Sequence, residues 1–206
     1  MWIGLVCLYG VLKGVRDIIK KKAMEKNSAM EVLFFYTFIS FLFVTPSVKN
    51  ALSIDFHYIG FVMIKSAIIF IAWICSFKAI KKLPIGFYGI MDMSRVIFAT
   101  VLGVTVLGEV MTGHKIAGMA LVLVGLLFVN AKGKGLGEEK TKPIYIVLVL
   151  ISCLCNAVSE LLDKMLMQSM NSGQLQFWYM FFMVILYLGY MIAVSYTHLR
   201  AHETRR

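Results

Sequence analysis

Leu83–Val129 reads LPIGFYGIMDMSRVIFATVLGVTVLGEVMTGHKIAGMALVLVGLLFV. Two apolar segments, Ile85–Val106 and Lys115–Val129, flank the more polar turn Leu107-Gly108-Glu109-Val110-Met111-Thr112-Gly113-His114. The first segment holds about 20 residues, enough at 1.5 Å rise per residue to cross about 30 Å of hydrocarbon. The second is shorter, and its Ala117, Gly118, Ala120 and Gly125 let a neighbouring helix come close. The stretch predicts a helical hairpin inside a membrane. It sets the expected fold class: all-α, a polytopic helical membrane protein.

Composition agrees. The 206 residues are 60% hydrophobic with a mean hydropathy of +0.81, far too apolar for an ordinary soluble domain. The net charge of +10 does not point to nucleic acid, because the lysines fall in short loops between apolar segments, where they bias topology. Cys7, Cys75, Cys153 and Cys155 all lie in apolar segments, and residues 153 and 155 stand about 200° apart around a helix, a poor metal pair. No metal or cofactor is expected. The N-terminus does not read as a cleavable signal peptide, since its charge follows the apolar run.

The first helix is expected from Trp2 to Lys22. Tyr9, Lys13, Arg16, Asp17 and Lys20 recur at i, i+4, i+7, i+8 and i+11, one polar stripe on one face. A charge near mid-membrane costs about 2.5–3.5 kcal/mol on insertion scales, so it faces protein or water. Lys13, Arg16 and Asp17 are therefore candidates for a cavity wall, against the alternative that this half snorkels; Lys20–Lys22 read as snorkelling to the interface. A Phe-rich helix over Glu31–Thr45 reads as packing and lipid contact. Helix 3, His57–Ile80, carries Lys65 well inside, with Ala72 and Ser76 on the same face. Helix 4 holds Tyr88, Asp92 and Arg95 one turn apart, and Asp92 and Arg95 at i, i+3 are expected to pair. A structural salt bridge competes there with a cavity-lining role. Gly133, Gly135 and Gly137 lie in AKGKGLGEEKTKP, which has neither the preceding strand nor the Lys-Ser/Thr of a phosphate loop and reads as a linker.

Displacing the chain by 143 residues sets Ile3 on Ile146, Leu5 on Leu148, Val6 on Val149, Val15 on Val158 and Lys21 on Lys164 without a gap. Met24, Phe34, Tyr36 and Phe38 then meet Met167, Phe177, Tyr179 and Phe181. The polar stripe follows: Ser152, Asn156, Ser159, Glu160 and Asp163 stand opposite Tyr9, Lys13, Arg16, Asp17 and Lys20. A polar stripe in register is harder to obtain from composition than apolar identities. The expected organisation is a five-helix repeat over 1–131, a linker over 132–143, and a second copy beginning over 144–193 with two helices. An odd number of spans per repeat inverts the second copy.

Proline-started helix 4, Leu107-Gly108-Glu109 at its far end and Ile116–Gly125 (IAGMALVLVG) closely resemble the end of an EamA repeat of the drug/metabolite transporter superfamily. The resemblance implies ten helices, a central cavity bordered by helix 4, a structural Glu109 first and a functional one second, and an N-terminus inside. The lysine asymmetry of the loops instead places the N-terminus outside. Val194–Thr204, VSYTHLRAHET, resembles a translated sequencing adapter, so 194–206 is expected to be a non-native tail on an incomplete chain; the pair His198 and His202 is rejected as a metal site.

The expected function is secondary transport of a small polar or amphipathic metabolite, by a proton-coupled exporter or an exchanger in a prokaryotic cytoplasmic membrane. The partners expected are a small-molecule substrate and the lipid bilayer, with no nucleic acid. The substrate-pathway candidates are Lys13, Arg16, Asp17, Lys65, Tyr88, Asp92, Arg95, Asn156 and Glu160. Two other classes compete. A structural membrane subunit would tolerate loss of these charges, and a membrane enzyme on lipid-linked substrates would need interfacial His and acidic clusters, where only His57 and His114 stand.

Overall fold

The computed structural model describes the backbone of residues 2–132 and 142–203, which is almost wholly helical, with no strand among the described residues. Seven main helices follow: α1 (Trp2–Lys26), α2 (Ala29–Val44), α3 (Phe56–Lys82), α4 (Ile85–Leu107), α5 (Gly113–Lys132), α6 (Pro143–Leu166) and α7 (Ser172–Glu203). Most of the expected linker lies outside the described residues. Helices α3, α4, α6 and α7 up to Val194 are long and apolar enough to cross a membrane; α2 and α5 are apolar but shorter. Their outer faces expose large side chains such as Phe43, 83% exposed, and Leu121, 73% exposed. Such a surface suits hydrocarbon and not water. The α7 backbone stays helical past the expected boundary at Val194, and the side chains beyond it lie outside the described residues.

Helix α3 is the spine: α6 and α7 pack along it, α2 packs on α7, and α4 packs on α6. Leu33, Ile69, Phe77, Ile80, Val149, Met183 and Tyr187 form the core between them. In lipid this packing is held by close van der Waals contact more than by escape from water. Helix α1 is peripheral: Leu5, Val6, Leu8, Val11, Leu12, Val15, Ile18 and Ile19 are all exposed.

Helix α2 starts two residues earlier than expected because Ser28 forms a capping box. The Glu31 N–H donates to Ser28 Oγ at 3.2 Å, and the Ser28 N–H donates to Glu31 Oε2 at 2.9 Å. The displacement of 143 sets Ser28 and Glu31 on Asn171 and Gln174, which form a related cap. The Asn171 N–H donates to Gln174 Oε1 at 2.9 Å, and the Gly173 N–H donates to Asn171 Oδ1 at 3.2 Å. The two turns face opposite ends of α3. At one end, Lys81 Nζ donates to the Asn27 carbonyl at 3.0 Å and Lys21 Nζ to the Leu83 carbonyl at 2.6 Å. At the other, Trp178 Nε1 donates to the Ala51 carbonyl at 2.9 Å and Gln174 Nε2 to Ser53 Oγ at 3.1 Å.

Helix α4 is not the continuous helix expected. It is two pieces, Ile85–Asp92 and Ser94–Leu107, around Met93. There the Met93 N–H bonds the Ile90 carbonyl at 3.1 Å and the Val96 N–H bonds the Met93 carbonyl at 3.0 Å, a three-residue spacing. Such a turn advances each residue by about 120° instead of about 100° and so keeps residues three apart on one face. Asp92 and Arg95 part instead because each meets its own partner, Lys13 on α1 and Glu160 on α6.

The Leu107-Gly108-Glu109 turn ends α4. Gly108 has φ +65°, the left-handed region that an L side chain disfavours, and the Glu109 N–H donates to the Gly103 carbonyl at 3.1 Å. The Glu109 side chain folds back over the helix end, where a Cβ on Gly103 would meet its carboxyl at 3.1 Å. It bridges Lys115 at 2.8 Å and Lys164 at 2.5 Å, tying α4 to α5 and α6. Hydrogen bonds from Lys115 and Lys164 hold its carboxyl below the usual carboxylate range, at about 2.

Gly108→Ala should destabilise the purified protein by about 1 kcal/mol, read as a lower melting temperature in detergent, with Gly108→Asn less damaging. Because its carboxyl is depressed, Glu109 stabilises the fold fully above the ordinary carboxylate pKa of about 4.3. That stability is lost as pH falls from there toward about 2. A melting-temperature series against pH should show this acid limb in the parent, and Glu109→Gln should lack it.

Candidate functional site

Helices α1, α2, α3, α4, α6 and α7 enclose a cavity of about 360 Å³. Met167, Ser172 and Gln176 form an exposed rim at the α6–α7 turn. Lys20, Ser76, Phe77 and Tyr88 line the far end. From Lys65 to Phe77 the α3 wall runs twelve residues, about 18 Å. Beyond the far end, Met24, Ile80 and Leu83 are at most 1% exposed, an apolar plug against the α1–α2 and α3–α4 turns. The cavity is thus open at one end of the bundle and closed at the other.

Arg16, Asp17, Lys65, Tyr88, Asp92, Arg95, Asn156 and Glu160 all line this space. Lys13 does not; it lines a second groove of about 640 Å³ between α1 and α4, beside Gly10, Gly14, Gly86 and Gly89. Helices α1, α3, α4 and α6 thus bring candidate residues to one shared space, and α2 and α7 add walls to it.

The pairing differs from expectation. Asp92 does not pair with Arg95; it reaches α1, where Lys13 Nζ donates to its Oδ2 at 2.7 Å. Arg95 faces α6 instead, with its Nε 3.3 Å from Glu160 Oε1. Lys65, only 5% exposed in its side chain, is met by neither Asp17 nor Glu160 but by Asp163 Oδ1 at 3.2 Å, and it sits 4.0 Å above the Tyr179 ring. Arg16 Nε contacts Asp17 Oδ1 at 3.3 Å. Tyr88 and Ser76 share a hydroxyl hydrogen bond of 2.5 Å. Asn156 Nδ2 donates to the Ser152 carbonyl at 2.8 Å and so stays on its own helix. Cys153 Sγ reaches the Asp92 carbonyl at 3.6 Å, so this thiol packs α6 against the break in α4.

Lys20 is a correction too. Lys21 reaches the Leu83 carbonyl at the α3–α4 turn, whereas Lys20 does not snorkel but lies inside the cavity, 5.0 Å above the Tyr36 ring and 4.8 Å above the Phe77 ring. Sequence reading also passed over Tyr36, Trp73, Ser159, Asp163 and Tyr179 as lining residues. The signals were present. Lys20 follows Lys13, Arg16 and Asp17 on one face, and Tyr36 and Tyr179 are partners under the displacement of 143. Trp73 stands between these two tyrosines, at ring-centroid distances of 5.7 and 6.4 Å.

Lys13 and Asp92 are 13% and 11% exposed in their side chains, so removing one partner strands the other charge. Asp92→Asn should destabilise the protein by about 3 kcal/mol. Adding Lys13→Met should recover most of that loss in a double-mutant cycle of melting curves; additive losses would show that the pair is not coupled.

The EamA-like transporter family model matches residues 1–131. A search of curated proteins gave no match. The matched region holds α1 to α5, including Lys13, Asp92 and the Leu107-Gly108-Glu109 turn, in a multi-pass helical membrane fold. The chain belongs to the EamA-like family of membrane transporters, within the drug/metabolite transporter superfamily.

Proposed function

We infer that the protein is a secondary transporter of a small polar or amphipathic metabolite, an exchanger or proton-coupled exporter of a prokaryotic cytoplasmic membrane. The observation that carries this reading is the charged cavity, open past Gln176 and closed by Met24, Ile80 and Leu83. A pathway that admits solute from one side only is one half of an alternating-access cycle. The opposed capping boxes support an inverted pair of repeats, 1–131 and the segment from 144, as the moving halves. Three ion pairs cross between them: Lys65 to Asp163, Arg95 to Glu160 and Lys164 to Glu109. Rocking one half on the other would break and remake these contacts, and a solute or proton that competes for them biases the equilibrium between the two states. In this reading Arg16, Asp17, Lys65, Tyr88, Asp92, Arg95, Asn156 and Glu160 form the substrate pathway, and Lys13 holds Asp92 in place.

Proteoliposomes loaded with a radiolabelled extract of small metabolites test this reading. The parent chain should release a saturable subset of the label. Lys65→Met and Arg95→Met should insert normally and release none above empty vesicles. Parental flux through both variants would remove these residues from the mechanism and favour a structural subunit.

A further inference from the structure

Four cations and four carboxylates line the cavity, but Lys13 of the neighbouring groove takes Asp92, so the pairing leaves one lining cation over. Asp17, Asp92, Glu160 and Asp163 are each matched to one cation, Arg16, Lys13, Arg95 and Lys65 respectively. Lys20 is left over: among the described residues no carboxylate and no hydrogen-bond acceptor meets its ammonium, which rests against the faces of Tyr36 and Phe77. Cation–π contact satisfies one side of an ammonium and leaves its N–H donors available to the cavity. A cation in that position costs free energy until an anion meets it.

The geometry points to Lys20 as the seat of a small organic monocarboxylate, its planar apolar body lying against the cavity side of the wall that Tyr36, Trp73 and Tyr179 form. The assignment rests on the transporter reading only for what happens to the ligand afterwards. The single surplus charge selects the class. With Lys13 counted among the pairs, a monoanion meets the one cation left over. A phosphate monoester brings a second negative charge with no free cation to meet it, and an amine or zwitterion brings a positive charge where all four carboxylates are already taken. The wall selects the body. Trp73 stands at 59° to Tyr36 and at 90° to Tyr179, so the three rings present edges and faces that suit a flat apolar group. The volume, about 360 Å³, lies in the range of small-ligand sites. The position matters as well, since Lys20 sits one helical turn from Met24 of the plug.

Four probes that share a phenyl body decide the charge: phenylacetate, phenylacetamide, phenethylamine and phenyl phosphate. Binding to the purified full chain in detergent is read from Trp73 emission, with Trp73→Phe identifying which signal is local. Phenylacetate should bind saturably, and the other three about tenfold more weakly or worse. Lys20→Arg should retain phenylacetate binding. Lys20→Met and Lys20→Gln should weaken it about tenfold to a hundredfold while eluting as folded protein. Amide binding equal to carboxylate binding, saturable binding of none of the probes, or full affinity in folded Lys20→Met overturns the assignment, and the first two outcomes are read on the parent protein alone. Flux in a chain whose phenylacetate binding ignores Lys20 removes this site and leaves transport standing. Lys20-dependent binding in a chain that moves no solute does the reverse.

Discussion

A carboxylate held among apolar helices has to be met by a cation, and Asp92 is met by Lys13 at 2.7 Å. Much of the architecture follows from meeting that demand repeatedly. Lys65 with Asp163 and Arg95 with Glu160 join helices distant in sequence, so satisfying the charges also sets how α1, α3, α4 and α6 stand against one another. Apolar packing alone would do this poorly, because one leucine-lined helix face resembles another and lipid competes for both. Charge pairs at fixed heights give the bundle a register. They also keep it adjustable, since each cavity carboxylate is within reach of solute and water.

How much of this is legible in the sequence depends on whether the cause is local. The existence and order of the helices and the polar stripe of α1 follow from periodicity and stand close to where expected, while the left-handed Gly108 is legible only as a glycine at a helix end. The identity of most charged cavity residues was legible for the same reason: a charge within an apolar run faces inward. Their partners were not. Asp92 and Arg95 are at a suitable local spacing, yet Asp92 is met by Lys13 on α1 and Arg95 by Glu160 on α6, partners that no local pattern names. Lys20 was misjudged because three successive lysines look like one interfacial cluster, although a helix turns them about 100° apart and only one faces the cavity. The aromatic wall was missed because phenylalanine and tyrosine are ordinary in lipid-facing helices, and only tertiary structure shows that Trp73 lies between Tyr36 and Tyr179.

The Leu107-Gly108-Glu109 turn shows how a short motif acquires physical content. Gly108 supplies the conformation, Gly103 supplies the space, and Glu109 uses both to reach two lysines on other helices. None of the three works without the others: a side chain at 103 would crowd the carboxyl, and a β-branched residue at 108 would swing it away.

The peripheral, charge-bearing α1 has a consequence for how the protein is made. Its Lys13 partner, Asp92, lies 79 residues further along the chain. At about 5–20 residues per second, the ribosome needs roughly 4–16 s to supply it. During that interval α1 carries Lys13, Arg16 and Asp17 with only the neighbouring Arg16–Asp17 contact available, and burial in the bilayer centre is unfavourable. Lodging of α1 at its final depth is therefore a late event in biogenesis, completed only after α3 and α4 emerge. Until then the helix is best held at the membrane surface or by the insertion machinery, and a chain that stalls before Asp92 presents an unfinished first span to quality control.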